Sequence, residues 1–119
     1  MLTTFESNAP IYLQIVDAIT KYIISGEGKV GERLPSVREF AAKMQVNPNT
    51  VQKALIELED KGLIFTERTN GKFITSDEGL IAKMREDYAT SLAKKYLLDM
   101  QNIGVDVEQA IGFLKNHKE

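Results

Sequence analysis

Two helix start signals stand close together in the sequence, at Ser36 and at Asn47. Ser36 and Glu39 have the S-x-x-E spacing of a capping box, in which each side chain bonds the other residue's backbone N–H. Asn47 precedes Pro48, and this pair is typical of an N-cap followed by the first residue of a helix. Because only a short helix and a tight turn at residues 45 and 46 fit between the two signals, the sequence predicts a helix-turn-helix.

A further helix precedes this motif. Apolar residues at three- and four-residue steps predict it over residues 10 to 25, and Gly26 ends it. The following Gly-rich stretch is predicted to be a connecting loop, with a short extended piece at Arg33 and Leu34.

A β-hairpin is predicted to follow the helix-turn-helix. Residues 63 to 67 and 72 to 75 are short, β-prone runs on either side of Asn70 and Gly71. Asn-Gly between two such runs is a strong hairpin signal. Three helices followed by a hairpin form a winged helix-turn-helix, in which the hairpin is the wing.

Beyond residue 77 the pattern returns to helix, and Asp106 with Gln109 caps a short last helix. Two helices alone are near the lower size limit for a stable core, so their apolar stripe must be buried against a partner. A second copy of the chain is the simplest partner, an effector pocket is the alternative, and Ile24 and Ile56 are further candidates for the seam. The stripe of the long helix consists of Ile81, Met84, Tyr88, Leu92, Tyr96, Met100 and Ile103.

The predicted fold class is therefore α+β, mostly α. Residues 1 to 76 are predicted to form the winged helix-turn-helix, and residues 77 to 119 a two-helix dimerisation segment. The second helix of such a motif lies in the major groove, so the predicted partner is double-stranded DNA. A homodimer would require a pseudo-palindromic operator with half-sites about one helical turn apart, or a multiple of that.

Composition removes several classes of protein. With 43% hydrophobic and 27% charged residues, the chain resembles folded globular proteins rather than disordered ones. It has no Cys and one His, which excludes disulfide frameworks, thiolate metal sites and His clusters, and we expect neither a metal nor a cofactor. A small hydrolase is a rival interpretation, but no motif holds a nucleophile and a base together, and we expect no enzyme.

The sequence contains no signal for a membrane or for export. No stretch approaches the roughly 18 apolar residues of a membrane span. Residues 1 to 10 carry no basic residue, unlike a secretory signal peptide. We therefore expect a cytoplasmic protein without a membrane partner.

Charge alone does not indicate nucleic-acid binding. The formal net charge is -2, and basic and acidic residues balance over residues 1 to 76. Any DNA contact must therefore rest on local pattern rather than on bulk electrostatics. A winged-helix protein-interaction module that never touches DNA is the main alternative, and the polar start of the third helix argues against it.

Three motifs occur in the order found in one family of bacterial regulators. They are G-E-R-L-P-S-x-R, V-N-x-N-T-V and L-E-x-K-G-L-I, which begin at Gly31, Val46 and Leu58. Over about residues 8 to 75 the chain resembles the DNA-binding domain of GntR-family transcription regulators. The short remainder resembles the YtrA-type branch of that family.

The resemblance implies a dimeric repressor, often of genes for ATP-driven transporters, with two C-terminal helices that serve mainly for dimerisation. Two positions depart from the family pattern. Gln45 occupies the turn position where Gly is common, and Thr69 occupies the first Gly position of the wing. A non-Gly residue can hold a left-handed turn at modest cost, so the fold is expected to survive both changes.

Basic and amide side chains supply the candidate DNA contacts on the helices. Arg38 can reach a phosphate or a guanine edge, and the resemblance implies a DNA contact there; the alternative is a surface ion pair. Gln52 can bind adenine, and Lys53 can bind a phosphate or guanine. Their alternative is an ordinary solvated helix face.

The start of the third helix carries three further polar candidates. Capping is the simpler role for Asn47, whereas Asn49 and Thr50 have little capping left to do and are favoured as contacts. The complete set predicted on the two helices is Ser36, Arg38, Asn47, Pro48, Asn49, Thr50, Gln52 and Lys53.

The wing carries the remaining candidates. Arg68 and Lys72 suit phosphates or the minor groove, and Gly71 allows close approach of the backbone. The alternative is an ordinary charged hairpin. Lys29 and Arg33 are near enough in the sequence to contribute weakly.

Overall fold

The computed structural model describes residues 9 to 117, and these residues are mostly helical, as predicted. Within them no helix combines the length and the apolar character that a membrane span requires. The elements in chain order are α1 (Ile11–Ile24), α2 (Val37–Met44), α3 (Pro48–Asp60), β1 (Ile64–Glu67), β2 (Gly71–Ile74), α4 (Glu78–Asn102) and α5 (Val107–Asn116).

The helix-turn-helix begins and ends at the predicted residues. Ser36 Oγ accepts a hydrogen bond of 3.1 Å from the Glu39 N–H, and the Glu39 carboxylate accepts one of 2.9 Å from the Ser36 N–H. This capping box starts α2. Gln45 ends α2 in the left-handed conformation, at φ 56°, so the residue that replaces the family's Gly adopts the conformation that the turn requires.

The wing is an antiparallel hairpin in which Ile64 pairs with Ile74 and Glu67 pairs with Gly71. Arg33 forms an isolated antiparallel bridge with Phe73. The Leu34 N–H also donates to the backbone carbonyl of Lys72 at 2.8 Å. The predicted extended piece at residues 33 and 34 therefore lies along β2 and continues the sheet.

A single hydrophobic core joins α1, α2, α3 and the hairpin. The buried face of α3 is the predicted one, and its side chains meet apolar residues of α1 and the sheet. Fully buried large side chains of this core are Ile15, Ile19, Ile23, Leu34, Phe40, Val51, Leu55, Leu58, Leu63, Ile64 and Ile74.

The chain divides into two compact units between Lys83 and Met84, inside α4. The first unit contains the winged helix and the first turns of α4. The second contains the rest of α4 together with α5, which starts with the predicted capping box of Asp106 and Gln109. Within the second unit, the Tyr96 hydroxyl donates a hydrogen bond of 2.6 Å to the backbone carbonyl of Ala110 and fastens α4 to α5.

Candidate nucleic-acid interface

Arg38 projects from the first turn of α2 as an exposed cation. It forms no hydrogen bond or ion pair with another residue in the range 9 to 117. Its neighbour Glu39 is occupied by the capping box, and the Ser36 backbone N–H lowers the pKa of that carboxyl below its usual value. The surface ion pair that was the alternative for Arg38 therefore does not form in the described chain. The Arg38 guanidinium can donate hydrogen bonds to an external anion.

The start of α3 is built by Asn47 and Pro48. Asn47 Oδ1 accepts a hydrogen bond of 2.7 Å from the Asn49 N–H, which is a capping contact. Pro48 occupies the first helical position, where its missing N–H leaves no donor unsatisfied. These two residues shape the helix start, whereas the Asn49 side chain is exposed and Thr50 is half-buried.

One face of α3 points away from the core. We call it the reading face, and it consists of Asn49, Gln52, Lys53 and Ile56, all exposed. The amide side chains of Asn49 and Gln52 have no partner among the residues that the structure describes. Amide and ammonium groups on an exposed helix face are the donors and acceptors that base edges in the major groove match.

Lys53 is held by an aromatic ring that the sequence prediction missed. Its Nζ lies 4.0 Å from the centroid of the Tyr12 ring, and Tyr12 is the second residue of α1. The contact joins residues far apart in the chain, so no local sequence pattern predicts it. It gives the ammonium of this reading-face residue a defined position.

The wing tip differs in detail from its prediction. The loop between the strands is the three residues Arg68, Thr69 and Asn70, while Gly71 is the first residue of β2 and pairs with Glu67. Gly71 has φ 104°, a conformation that L side chains rarely adopt, whereas Asn70 has a negative φ. Asn70 therefore does not form the tight Asn-Gly turn that the sequence indicated. Arg68 is exposed in this loop.

Lys72 has two partners within the chain. Its Nζ donates a hydrogen bond of 2.8 Å to Thr66 Oγ1 and lies 3.7 Å from Glu59 Oε2. Only 16% of its side chain is exposed. In the single chain, Lys72 therefore links the wing to α3, and a DNA phosphate would have to compete with the Glu59 carboxylate for its charge.

Arg33 contacts the wing tip, a structural role that the sequence did not predict. Its Nε donates a hydrogen bond of 2.9 Å to the backbone carbonyl of Asn70 at the wing tip. A Cβ at Gly71 would lie 3.3 Å from Nε and Nη2 of this guanidinium, so the glycine gives it room. Lys29, by contrast, bonds the backbone carbonyl of Gly26 in its own loop.

A cleft of about 320 Å³ lies between the wing and the start of α2. Its lining brings together predicted residues from both elements, namely Ser36, Arg68, Gly71 and Lys72, and adds Arg33. Arg33, Arg68 and Lys72 outnumber Glu67 on its walls, and this charge balance suits a negatively charged strand such as a phosphate backbone.

The apolar residues of the second unit are mostly exposed in the single chain. Ile103 is 73% exposed and Leu92 is 57% exposed, whereas Met84, Tyr88, Tyr96 and Met100 are half-buried. Two predicted seam residues require correction: Ile81 is 7% exposed and Ile24 is 6% exposed, and both are buried in the first unit. Ile56 belongs to the reading face instead.

The sequence pattern of one family, described as bacterial regulatory proteins of the gntR family, matches residues 11 to 74. This span runs from the start of α1 to the end of β2, so it covers the winged helix described above. The chain belongs to the GntR family.

GntR proteins with solved structures or curated names resemble this chain along most of its length. The HTH-type transcriptional repressor YtrA of Bacillus subtilis is 36% identical over 116 residues, which cover 92% of this chain and 85% of YtrA. A GntR family transcriptional regulator from Listeria monocytogenes has a TM-score of 0.89 at 38% identity, covering 96% of this chain and all of that one. These similarities place the chain in the short YtrA-type branch.

The winged helix also matches the AraR DNA-binding domain in its complex with operator ORX1. The TM-score is 0.58 at 22% identity, over 63% of this chain and 96% of that one, and it reflects the shared fold. The GntR match and the YtrA similarity make the chain a DNA-binding transcription regulator, and its named relatives are regulators.

Proposed function

We propose that this GntR protein is a homodimeric repressor that binds an inverted-repeat operator and blocks transcription by occupying it. The observation that carries the proposal is the unpaired Arg38 beside an exposed, polar start of α3. A protein-interaction module would more commonly present a larger apolar surface at this position. Asn49, Gln52 and Lys53 instead offer groups that bind base edges.

We assign each residue a role on DNA according to the contacts that it makes within the chain. Asn49, Gln52 and Lys53 read bases, and Arg38 binds a phosphate or a guanine. Arg68 at the wing tip binds the backbone, with Gly71 allowing close approach. Among the other predicted contacts, Ser36, Asn47, Pro48 and Thr50 position the helix starts, and Lys72 positions the wing.

We propose residues 1 to 76 as the DNA-binding domain and residues 77 to 119 as the dimerisation segment. The second unit has one buried apolar residue in its described part, Ala110, so most of its apolar side chains need a partner. A second copy satisfies this need and duplicates the recognition helix. The proposed dimer surface consists of Met84, Tyr88, Leu92, Tyr96, Met100 and Ile103, without the buried Ile81.

The test begins with in vitro selection of duplexes from a random-sequence library. The affinity of the selected duplex is then measured by fluorescence anisotropy for the wild type and for Arg38→Ala. We expect Arg38→Ala to weaken binding by about 1 to 3 kcal/mol, which is roughly 5- to 150-fold. Lys94→Ala is the control, because it removes the same charge from an exposed position in the second unit.

Two results would overturn the proposal. One is a selection that enriches no sequence, which would favour the interaction module. The other is an equal affinity for Arg38→Ala and Lys94→Ala, which would show that α2 does not face the DNA. An enriched sequence without twofold symmetry would refute the dimeric part of the proposal alone.

A further inference from the structure

We propose that Tyr12 is a positioning residue for operator recognition, because its ring positions the ammonium of Lys53, a residue of the reading face of α3. The inference rests on the proposed function, since it requires α3 to face the operator. It extends the DNA interface to α1, on which the sequence analysis named no candidate contact. Tyr12 would act through Lys53 and not through a DNA contact of its own.

The geometry comes from the packing of α1 against α3. The two helices share the core around Ile15 and Val51, which are both fully buried. Tyr12 lies on α1 one turn before Ile15, and Lys53 lies on α3 two residues after Val51. The packed helices therefore fix the Tyr12 ring relative to the Lys53 backbone, and the ring centroid lies 4.0 Å from Lys53 Nζ.

The chemistry of the pair favours an ordered ammonium. The face of an aromatic ring carries negative potential and attracts a cation, by about 0.5 to 1 kcal/mol at an exposed site. A Lys side chain that moves freely loses rotamer entropy when it is immobilised. Lys53 is already restricted in the free protein, so less of that entropy is lost when it binds DNA.

The ammonium remains able to bind an acceptor while it contacts the ring. A Lys side chain has three N–H donors, and those directed away from the ring can reach a base or a phosphate. Lys53 is exposed and has no ion-pair partner within residues 9 to 117. The Tyr12 hydroxyl likewise forms no hydrogen bond in that range, which leaves the ring as the part of Tyr12 that acts on Lys53.

Four variants test this role on the duplex recovered by selection, with anisotropy as the readout. We expect Tyr12→Leu to weaken binding about two- to fivefold, because an attraction of this size no longer favours the ordered Lys53 conformation in the free protein. Tyr12→Phe keeps a ring face and is expected to bind as the wild type does. In a Lys53→Ala background, Tyr12→Leu is expected to cause no further loss, because the group that the ring positions is absent.

Four results would overturn the inference while leaving the proposed function intact. Unchanged binding by Tyr12→Leu would mean that the ring contact does not affect DNA binding. Tighter binding would mean that the ring holds Lys53 away from DNA. Tyr12→Phe as weak as Tyr12→Leu would assign the effect to the hydroxyl. An equal loss in the Lys53→Ala background would indicate a role independent of Lys53. Failure of the wild type to bind any selected duplex would instead refute the proposed function.

Discussion

Arg33 Nε donates a hydrogen bond of 2.9 Å to the backbone carbonyl of Asn70, across 37 positions of sequence. The bond fastens the wing tip to the segment that leads into α2. The backbone of that segment also pairs with β2, through the bridge between Arg33 and Phe73. The wing is therefore fixed by both the backbone and the side chain of one residue, and its orientation is set before DNA binds.

Gly71→Ala is expected to destabilise the winged helix. Gly71 has φ 104°, and an added Cβ would press on the Arg33 guanidinium at 3.3 Å. A strained backbone of this kind costs about 1 to 3 kcal/mol of unfolding free energy. Urea unfolding measures the loss. Gly79→Ala is the matched control, because its Cβ would lie 3.4 Å from Asp77 Oδ1, which is an ordinary contact distance. Equal stability of the two variants would contradict the expectation.

Tyr22→Phe is expected to remove a pH-dependent contribution to stability. The Tyr22 hydroxyl donates a hydrogen bond of 2.6 Å to Glu32 Oε2, and Glu32 Oε1 accepts from the Lys29 N–H. The bond to Glu32 raises the pKa of Tyr22 above 10.0. The bond from Tyr22, followed by that from Lys29, lowers the pKa of Glu32 below 4.5. The expected loss at neutral pH is about 1 to 2 kcal/mol.

The sign of each pKa shift fixes the pH window of this loss. A lowered Glu32 pKa contributes stability that is present above pH 4.5 and disappears as the pH falls through the folded-state value. A raised Tyr22 pKa contributes stability that is present below pH 10.0 and disappears as the pH rises through the folded-state value. Thermal unfolding of Tyr22→Phe should therefore approach that of the wild type in acid. Tyr12→Phe is the control: it removes a hydroxyl without a described partner and should match the stability of the wild type at every pH. A stability difference between Tyr22→Phe and the wild type that persists in acid would refute the assignment.

Leu92→Lys combined with Ile103→Lys is expected to convert the proposed dimer to a monomer. Both side chains are exposed in the single chain, so the charges harm the proposed interface and not the core. Sedimentation velocity measures the change, and operator affinity should fall with it. Val30→Lys is the control because Val30 is an exposed apolar residue of the first unit. A wild-type monomer at the concentrations that bind operator would contradict the dimer.

The sequence was sufficient to predict structural features that depend on residues a few positions apart in the chain. The capping boxes at Ser36 and Asp106 form as predicted, because each depends on a residue three positions later. Gln45 adopts the left-handed turn that its position demanded. The helices, the hairpin and the GntR resemblance followed from such local patterns and are confirmed.

Contacts between distant residues escaped prediction. Lys72 was predicted to bind DNA, but strand pairing and the packing of α3 bring it to Glu59. Ile81 fits the apolar stripe by spacing, yet its position at the start of α4 buries it in the first unit. Periodicity shows that a residue is apolar on one face of a helix; it does not show which partner covers that face.

Hydroxyl-radical footprinting on the promoter region upstream of the gene that encodes this chain tests whether a dimer reads an inverted repeat through α2 and α3. We expect two protected tracts related by twofold symmetry and separated by about one helical turn or a multiple of it. Protection should weaken as salt rises and should be lost in Arg38→Ala but not in Lys94→Ala. Protection of a single tract, or equal protection by Arg38→Ala, would contradict a dimer that reads an inverted repeat through α2 and α3.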